Sequence, residues 1–152
     1  MKKHSLCRLV LFIAIAQGAG LLGLFFMGSI DGWYATLSKP ALNPPSWIFG
    51  PVWTMLYVLI GVTGYIVWRQ GEYQALNVYW AQLAVNALWT PLFFGLQNPL
   101  VALFDIVLLW ILIVWTMVVF ARVHKVAGVL LIPYLLWVSF ATYLNAMIVY
   151  LN

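Results

Sequence analysis

Charge is nearly absent from this chain: 7% of its 152 residues are charged, three are acidic and two are histidine. A surface wetted on all sides cannot be tiled from so few ionic groups, so a soluble globular domain is excluded. Cys7 is the single cysteine, which excludes a disulfide framework and a thiolate metal cluster. His4 and His124 sit in or beside basic, water-facing segments and read as solvated loop residues rather than ligands, so neither a metal nor a resident cofactor is expected. The motifs G-x-x-x-x-G-K-[ST], H-E-x-x-H and G-x-S-x-G do not occur. There is no basic stripe either, and nucleic acid is not an expected partner.

What is present is hydrocarbon: 66% of the residues are hydrophobic and the mean hydropathy is +1.02. Uncharged runs cover 9–30, 40–68, 73–104, 106–121 and 126–152, and a bilayer core is crossed by about 20 helical residues, so each run is read as able to span once, the fourth together with residues just before it. The third is too long for one crossing, and Gly95, Gln97, Asn98 and Pro99 should end a helix near Leu96 and let the next begin near Leu100. None of these runs alternates polar and apolar residues as a membrane β-barrel strand would. The expectation is a single all-α domain over 1–152, a bundle of five transmembrane helices near 7–28, 46–68, 77–95, 100–121 and 127–149. An odd number of spans puts Lys2, Lys3, Arg8, Arg69, Arg122 and Lys125 on one face and Lys39 alone on the other. Basic residues are retained in the cytoplasm, so the N-terminus is expected there and the positive charge is expected to meet membrane lipid headgroups. A cleaved signal peptide ending at Ala14–Ala16 is the competing reading of the start, but the apolar run continues well past a signal core.

Residues 29–45 form the longest connection, and long ordered loops tend to be functional. Pro40, Pro44 and Pro45 push the residues before them toward extended backbone, so this segment suits a stiff cover. Trp33, Tyr34 and Trp47 fit either that cover or an interfacial aromatic belt. Three stripes at i, i+4, i+8 face the bundle: Phe49, Trp53 and Tyr57; Gln82, Asn86 and Thr90, with Trp89 and Phe93 alongside; and Trp137, Ala141 and Asn145. Amides in hydrocarbon must be hydrogen-bonded, so Asn86 and Asn145 either join other helices or line a cavity. Ala141 leaves room for something flat. Ala14, Gly18, Gly20 and Gly23 would let a neighbouring helix come close, and Ala81, Ala84 and Ala87 offer a similar face. Asp105 is the only acid near the apolar zone, and its depth decides its meaning.

The strings "WYATLSKPALNPPSWIFGPVWTMLY", "YWAQLAVNALWTPLFFG" and "LLIPYLLWVSFATYLN" resemble the tryptophan-rich sensory protein, or translocator protein, family, formerly the peripheral benzodiazepine receptors. Its signature W-Y-x-x-L-x-K-P-x-x-N-P-P is met from Trp33 to Pro45 and N-x-x-W-x-P-x-F-F-G from Asn86 to Gly95. The resemblance implies a five-helix bundle, often a homodimer, that binds tetrapyrroles such as protoporphyrin, with sterols in some members. The implied pocket residues are Trp53, Tyr57, Asn86, Phe93, Trp137, Ala141, Leu144 and Asn145. The implied lid carries Trp33, Lys39, Pro40, Asn43, Pro44, Pro45 and Trp47. It also implies light-dependent porphyrin breakdown at Trp53 and Trp137 as a candidate catalytic activity. No Lys or Arg follows Tyr143 or Tyr150, so the C-terminal sterol pattern of animal members is missing, and the looser Val62, Tyr65, Arg69 pattern is weak.

The expected function is therefore a membrane receptor or sensor for flat hydrophobic ligands, with Trp47 and Trp53 reaching down into the pocket and Lys39 as a cation at its rim. A porphyrin-degrading enzyme and a sterol or porphyrin transporter are the alternatives, the transporter lacking the broken helices of repeat-built carriers.

Overall fold

The computed structural model describes residues 3–152, except for the side chains of residues 3, 4, 29 and 30. Lys2 and the side chains of Lys3 and His4, which entered the sequence expectations, lie outside what is described. The helices are α1 (Lys3–Leu24), α2 (Phe49–Arg69), α3 (Leu76–Thr90), α4 (Pro99–Val123), α5 (Lys125–Val129) and α6 (Ile132–Leu151), and no strand occurs among the described residues. Four helical stretches are long and apolar enough to cross a membrane: Ser5–Leu24, Ser46–Arg69, Pro99–Val123 and Lys125–Leu151. Their outer flanks expose Leu11, Phe104, Trp115 and Leu136, side chains suited to lipid and not to water.

The expected third span falls short of that measure, for a local reason. Pro91 has no N–H to continue the helix, and the chain widens into a π-turn over Pro91–Gly95 that closes with Leu96 N–H donating to the Pro91 carbonyl at 2.9 Å. Gln97 then adopts a left-handed φ of 52°, and the Asn98 side chain accepts from Val101 N–H at 3.1 Å to cap α4. The break expected between Leu96 and Leu100 is thus built from a stop and a cap in succession. A second proline divides the last crossing: Pro133, in the first turn of α6, leaves α5 and α6 as two segments of one run.

The 29–45 connection is not extended throughout. It begins with helical turns at Met27–Ser29 and Ile30–Tyr34, and becomes open chain only beyond residue 36.

Packing joins α1 to α2 and α3, α3 to α4, α4 to both α5 and α6, and α2 to α5. The helices therefore form a closed ring. Small residues set the closest approach: a Cβ on Gly61 of α2 would stand 2.5 Å from the Ile13 Cα of α1. Gly20 lies under the Tyr57 ring and Gly23 under Thr90, whereas Gly18 has open space beside it and Ala14 is exposed. The small-residue face of α1 therefore packs over only part of its length. Gly61→Ala is expected to cost about 1–3 kcal/mol, because the obstacle is backbone and cannot rotate away. Thermal melting in detergent checks this, with Gly18→Ala expected to melt like the wild type.

Candidate functional site

Four buried polar side chains meet at the centre of the ring. The Tyr57 hydroxyl of α2 donates to Asn86 Oδ1 at 2.5 Å, Asn86 Nδ2 donates to the Tyr134 hydroxyl of α6 at 2.6 Å, and that hydroxyl donates to Gln82 Oε1 at 2.9 Å. All four are buried. Three helices are tied by one connected chain, which satisfies the Asn86 amide fully and leaves Gln82 Nε2 without a partner among the described residues.

Nearer the outer end, Trp89 Nε1 donates to Asn145 Oδ1 at 3.0 Å, and Asn145 Nδ2 donates to the Pro99 carbonyl at 2.8 Å. This second polar group joins α3, α4 and α6. Asn145 shares a stripe with Trp137, yet the two serve different neighbours. With about 3.6 residues per turn, an i to i+8 step drifts about 80° around the helix, so Asn145 reaches α4 while Trp137 turns toward α2. The same drift carries Thr90 to Gly23 of α1 while Gln82 reaches α6.

Between α2 and α6 there is little direct helix contact, although α2 packs on α5. Aromatic rings occupy the split. Trp53 stacks on Tyr57 with centroids 5.5 Å apart and meets Tyr134 edge-on at 6.3 Å, while Phe49 meets Trp137 edge-on at 5.8 Å. Trp53, Trp137 and Ala141 are half-buried, and Leu144 is buried. Trp137 Nε1 is buried with no hydrogen-bond acceptor among the described residues. An indole N–H in that position is costly unless something accepts from it.

The loop is fastened over the end of the bundle where α1 stops and α2 starts. Trp33 and Tyr34 pack edge-on against Phe93 at 5.7 and 6.0 Å, Tyr34 does the same with Phe94 at 5.4 Å, and Phe93 stacks on Trp89 at 4.8 Å. Asn152 Oδ1 accepts from Ser38 N–H at 2.9 Å while its Nδ2 donates to the Ser38 carbonyl at 3.0 Å, clasping the loop to the end of α6. Residues 39–45 then cross from this clasp to the start of α2, with Pro40 buried beneath them. The Tyr34 hydroxyl donates to Asn43 Oδ1 at 3.4 Å. Burial pushes its pKa above the usual tyrosine value, with the Asn43 bond opposing; the hydroxyl stays neutral at physiological pH.

Several sequence expectations are corrected. Trp47 does not reach down: it is 72% exposed and faces outward, because the helical turn Ser46–Ile48 directs it away from the bundle. Lys39 is turned into its own loop, 4.7 Å from the centre of the Tyr34 ring and 3.4 Å from the Leu37 carbonyl, where stacking and bare carbonyls hold a cation better than an apolar rim does. The predicted site residues do not form one open chamber. Trp53, Tyr57 and Trp137 share the α2/α6 split, Phe93 lies under the loop, and Asn86 and Asn145 are engaged with neighbouring helices. Two open hollows of about 470 and 390 Å³ lie on the outer side of α1 and α3, the second bounded also by Trp68 of α2 and by Tyr73. Asp105 is half-buried on the second turn of α4, with one carboxylate oxygen buried and unpartnered among the described residues. Tyr134, Gln82, Trp89 and Asn152 carry more of the site than their spacing suggested. Tyr134 is marked in the sequence by its place one turn before Trp137, whereas the reach of Asn152 to Ser38 has no sequence signal.

Two substitutions test these ties. Asn86→Leu strips partners from two buried hydroxyls and is expected to cost about 1–3 kcal/mol, measurable by detergent melting. Asn152→Ala should speed amide exchange at residues 38–45 without moving the core, measured by hydrogen–deuterium exchange.

Comparison with known proteins agrees with this architecture. The TspO/MBR family model matches residues 11–151. The chain is 48% identical to the tryptophan-rich protein TspO of Chlorobaculum tepidum, covering 95% of both chains. It is 44% identical to the TspO of Archaeoglobus fulgidus over 97% of this chain and 99% of that one. It is 41% identical to the human translocator protein over 88% of this chain and 82% of that one. With its sequence matched nearly end to end and its helices apolar enough for lipid, the chain belongs to the TspO/MBR family of integral membrane proteins.

Proposed function

We propose that this protein is a membrane receptor for tetrapyrroles and similar flat hydrophobic ligands, taken up in the split between α2 and α6. The observation that carries this reading is Trp137: a buried indole N–H without an acceptor among the described residues, edge-on to Phe49 of α2 where two helices scarcely touch. A planar π-system fits between such rings, and its carboxylate or ring nitrogen can accept from Nε1. Entry needs residues 39–45 to lift from the outer end and the rings to part. Sensing then requires the ligand to prefer the parted state over the closed one, in which Tyr57 bonds Asn86. Relatives named sensory protein and translocator protein suit a binding module.

The same reading includes a fifth crossing. α3 and its π-turn together run from 76 to 95, about 30 Å at helical rise, which matches a bilayer core. Gln82 and Asn86, which lower its hydropathy, are buried and bonded to Tyr134 and Tyr57. Arg8 lies in the second turn of α1, Arg69 ends α2, Arg122 is in the last turn of α4 and Lys125 begins α5, so they share one face, proposed as the cytoplasmic one, with the N-terminus on the same side. A second copy of the chain is a further proposed partner.

Two indoles in one split also favour a second reading, light-dependent porphyrin breakdown with Trp53 and Trp137 beside the excited ring. One titration series separates the two. Protoporphyrin should quench tryptophan emission in the wild type and bind at least about fivefold more weakly to Trp137→Ala, the loss of roughly one buried hydrogen bond; equal affinity overturns the binding site. Under illumination a receptor leaves the Soret band intact, whereas an enzyme bleaches it and loses that activity on Trp53→Phe.

A further inference from the structure

Tyr57 is held from three sides. Its ring stacks on Trp53 with centroids 5.5 Å apart, its hydroxyl donates to Asn86 Oδ1 at 2.5 Å, and one edge of the ring lies against α1 at Gly20. A Cβ on Gly20 would stand 2.2 Å from Tyr57 Cε2, 2.7 Å from Cζ and 2.8 Å from Cδ2. The phenol ring therefore fills the place of the side chain that glycine lacks, and what it meets there is main chain.

Gly20 also stands where the hold on α1 changes. Toward its N-terminal end α1 is fixed to α2, by Ile13 against Gly61 and by Gln17 Nε2 donating to the Thr54 carbonyl at 2.8 Å. Past Gly20 one turn of the helix remains, with Leu21, Leu22 and Leu24 exposed and Gly23 under Thr90. The chain then passes Phe26, whose ring lies against Gly95 of the π-turn, and enters the helical turns that carry Trp33 and Tyr34.

We propose that Tyr57 couples the α2/α6 split to the root of the loop, by passing displacement of Trp53 to α1 at Gly20. The inference rests on the receptor reading above and names how occupancy is reported from that site. A guest among the rings of the split pushes Trp53 onto Tyr57. Packed interiors scarcely compress, and the bond to Asn86 keeps the ring from swinging aside, so the push reaches the α1 backbone. The part of α1 fixed to α2 resists, and the last turn yields. Tyr57 is thus a positioning residue between two states: one with Trp33 and Tyr34 seated on Phe93, the other with the last turn of α1 displaced and the loop released.

Hydrogen–deuterium exchange of the full chain in detergent tests this, with and without protoporphyrin at a concentration where tryptophan quenching has levelled off. Saturation removes differences in affinity from the comparison. In the wild type, exchange at residues 31–38 is expected to rise about fivefold on binding, the lower end of coupling between sites. Gly20→Ala should reproduce that rise without ligand, because its Cβ displaces ring or helix, and protoporphyrin should then add little. Tyr57→Phe keeps the ring but frees it from Asn86, and should lose the rise at saturation. Gly18→Ala, where a Cβ meets nothing within 4 Å, should respond as the wild type does. Saturable quenching with unchanged exchange at 31–38 overturns the coupling and leaves the receptor reading intact, as does an undiminished rise in Tyr57→Phe. Equal affinity of the wild type and Trp137→Ala overturns the receptor reading, and the coupling with it.

Discussion

A carboxamide inside hydrocarbon has no water to bond with, and the answer given to Asn86 organises the bundle around it. Its oxygen takes the Tyr57 hydroxyl and its nitrogen gives to the Tyr134 hydroxyl, so α2, α3 and α6 are held at one depth and one rotation. Apolar packing alone would tolerate sliding, since lipid tails are as apolar as leucine. Directed bonds do not. Gln82 continues the chain inward, and the Trp89 and Asn145 pair repeats the device nearer the outer end.

Rotation fixed in this way has a consequence for the aromatic residues. Once Tyr57 and Tyr134 are turned to Asn86, Trp53 and Trp137 must take the wedge where α2 and α6 separate. They fill it with flat faces rather than branched side chains, and flat faces can part around a flat guest without a change of helix register. The loop completes the enclosure by a different physics. Trp33 and Tyr34 hold it through ring contacts with Phe93 and Phe94, and the Asn152 carboxamide holds it by imitating a strand's pair of backbone bonds at Ser38.

How much of this was legible varied with the range of the interaction. Proline, glycine and asparagine act on the backbone beside them, so the break at Leu96, the restart at Pro99 and the stiffness around Pro44 and Pro45 could be read directly. Stripes at four-residue spacing correctly named residues that face inward, yet they suggested that Trp137 and Asn145 meet one guest together. The drift of a real helix sends them to different neighbours. Trp47 misled because aromatic character says nothing of direction: one 3₁₀ turn decides whether it points into the bundle or out of it. Lys39 was given to a ligand because the acidic edge of a porphyrin wants a cation at the rim, whereas the loop's own carbonyls and Tyr34 are within its reach.

By itself, the sequence determined the solvent and the class of fold, because a shortage of charge and runs of apolar residues are properties of composition that no folding can reverse. It also determined the family, through strings too long and too particular to recur by chance. Only the tertiary structure decided which amides meet which hydroxyls, and that the predicted residues divide between a split at α2/α6 and a cluster beneath the loop. Those outcomes depend on the rotation of each helix about its axis, which is set by the joint packing of all its neighbours and by no one segment alone.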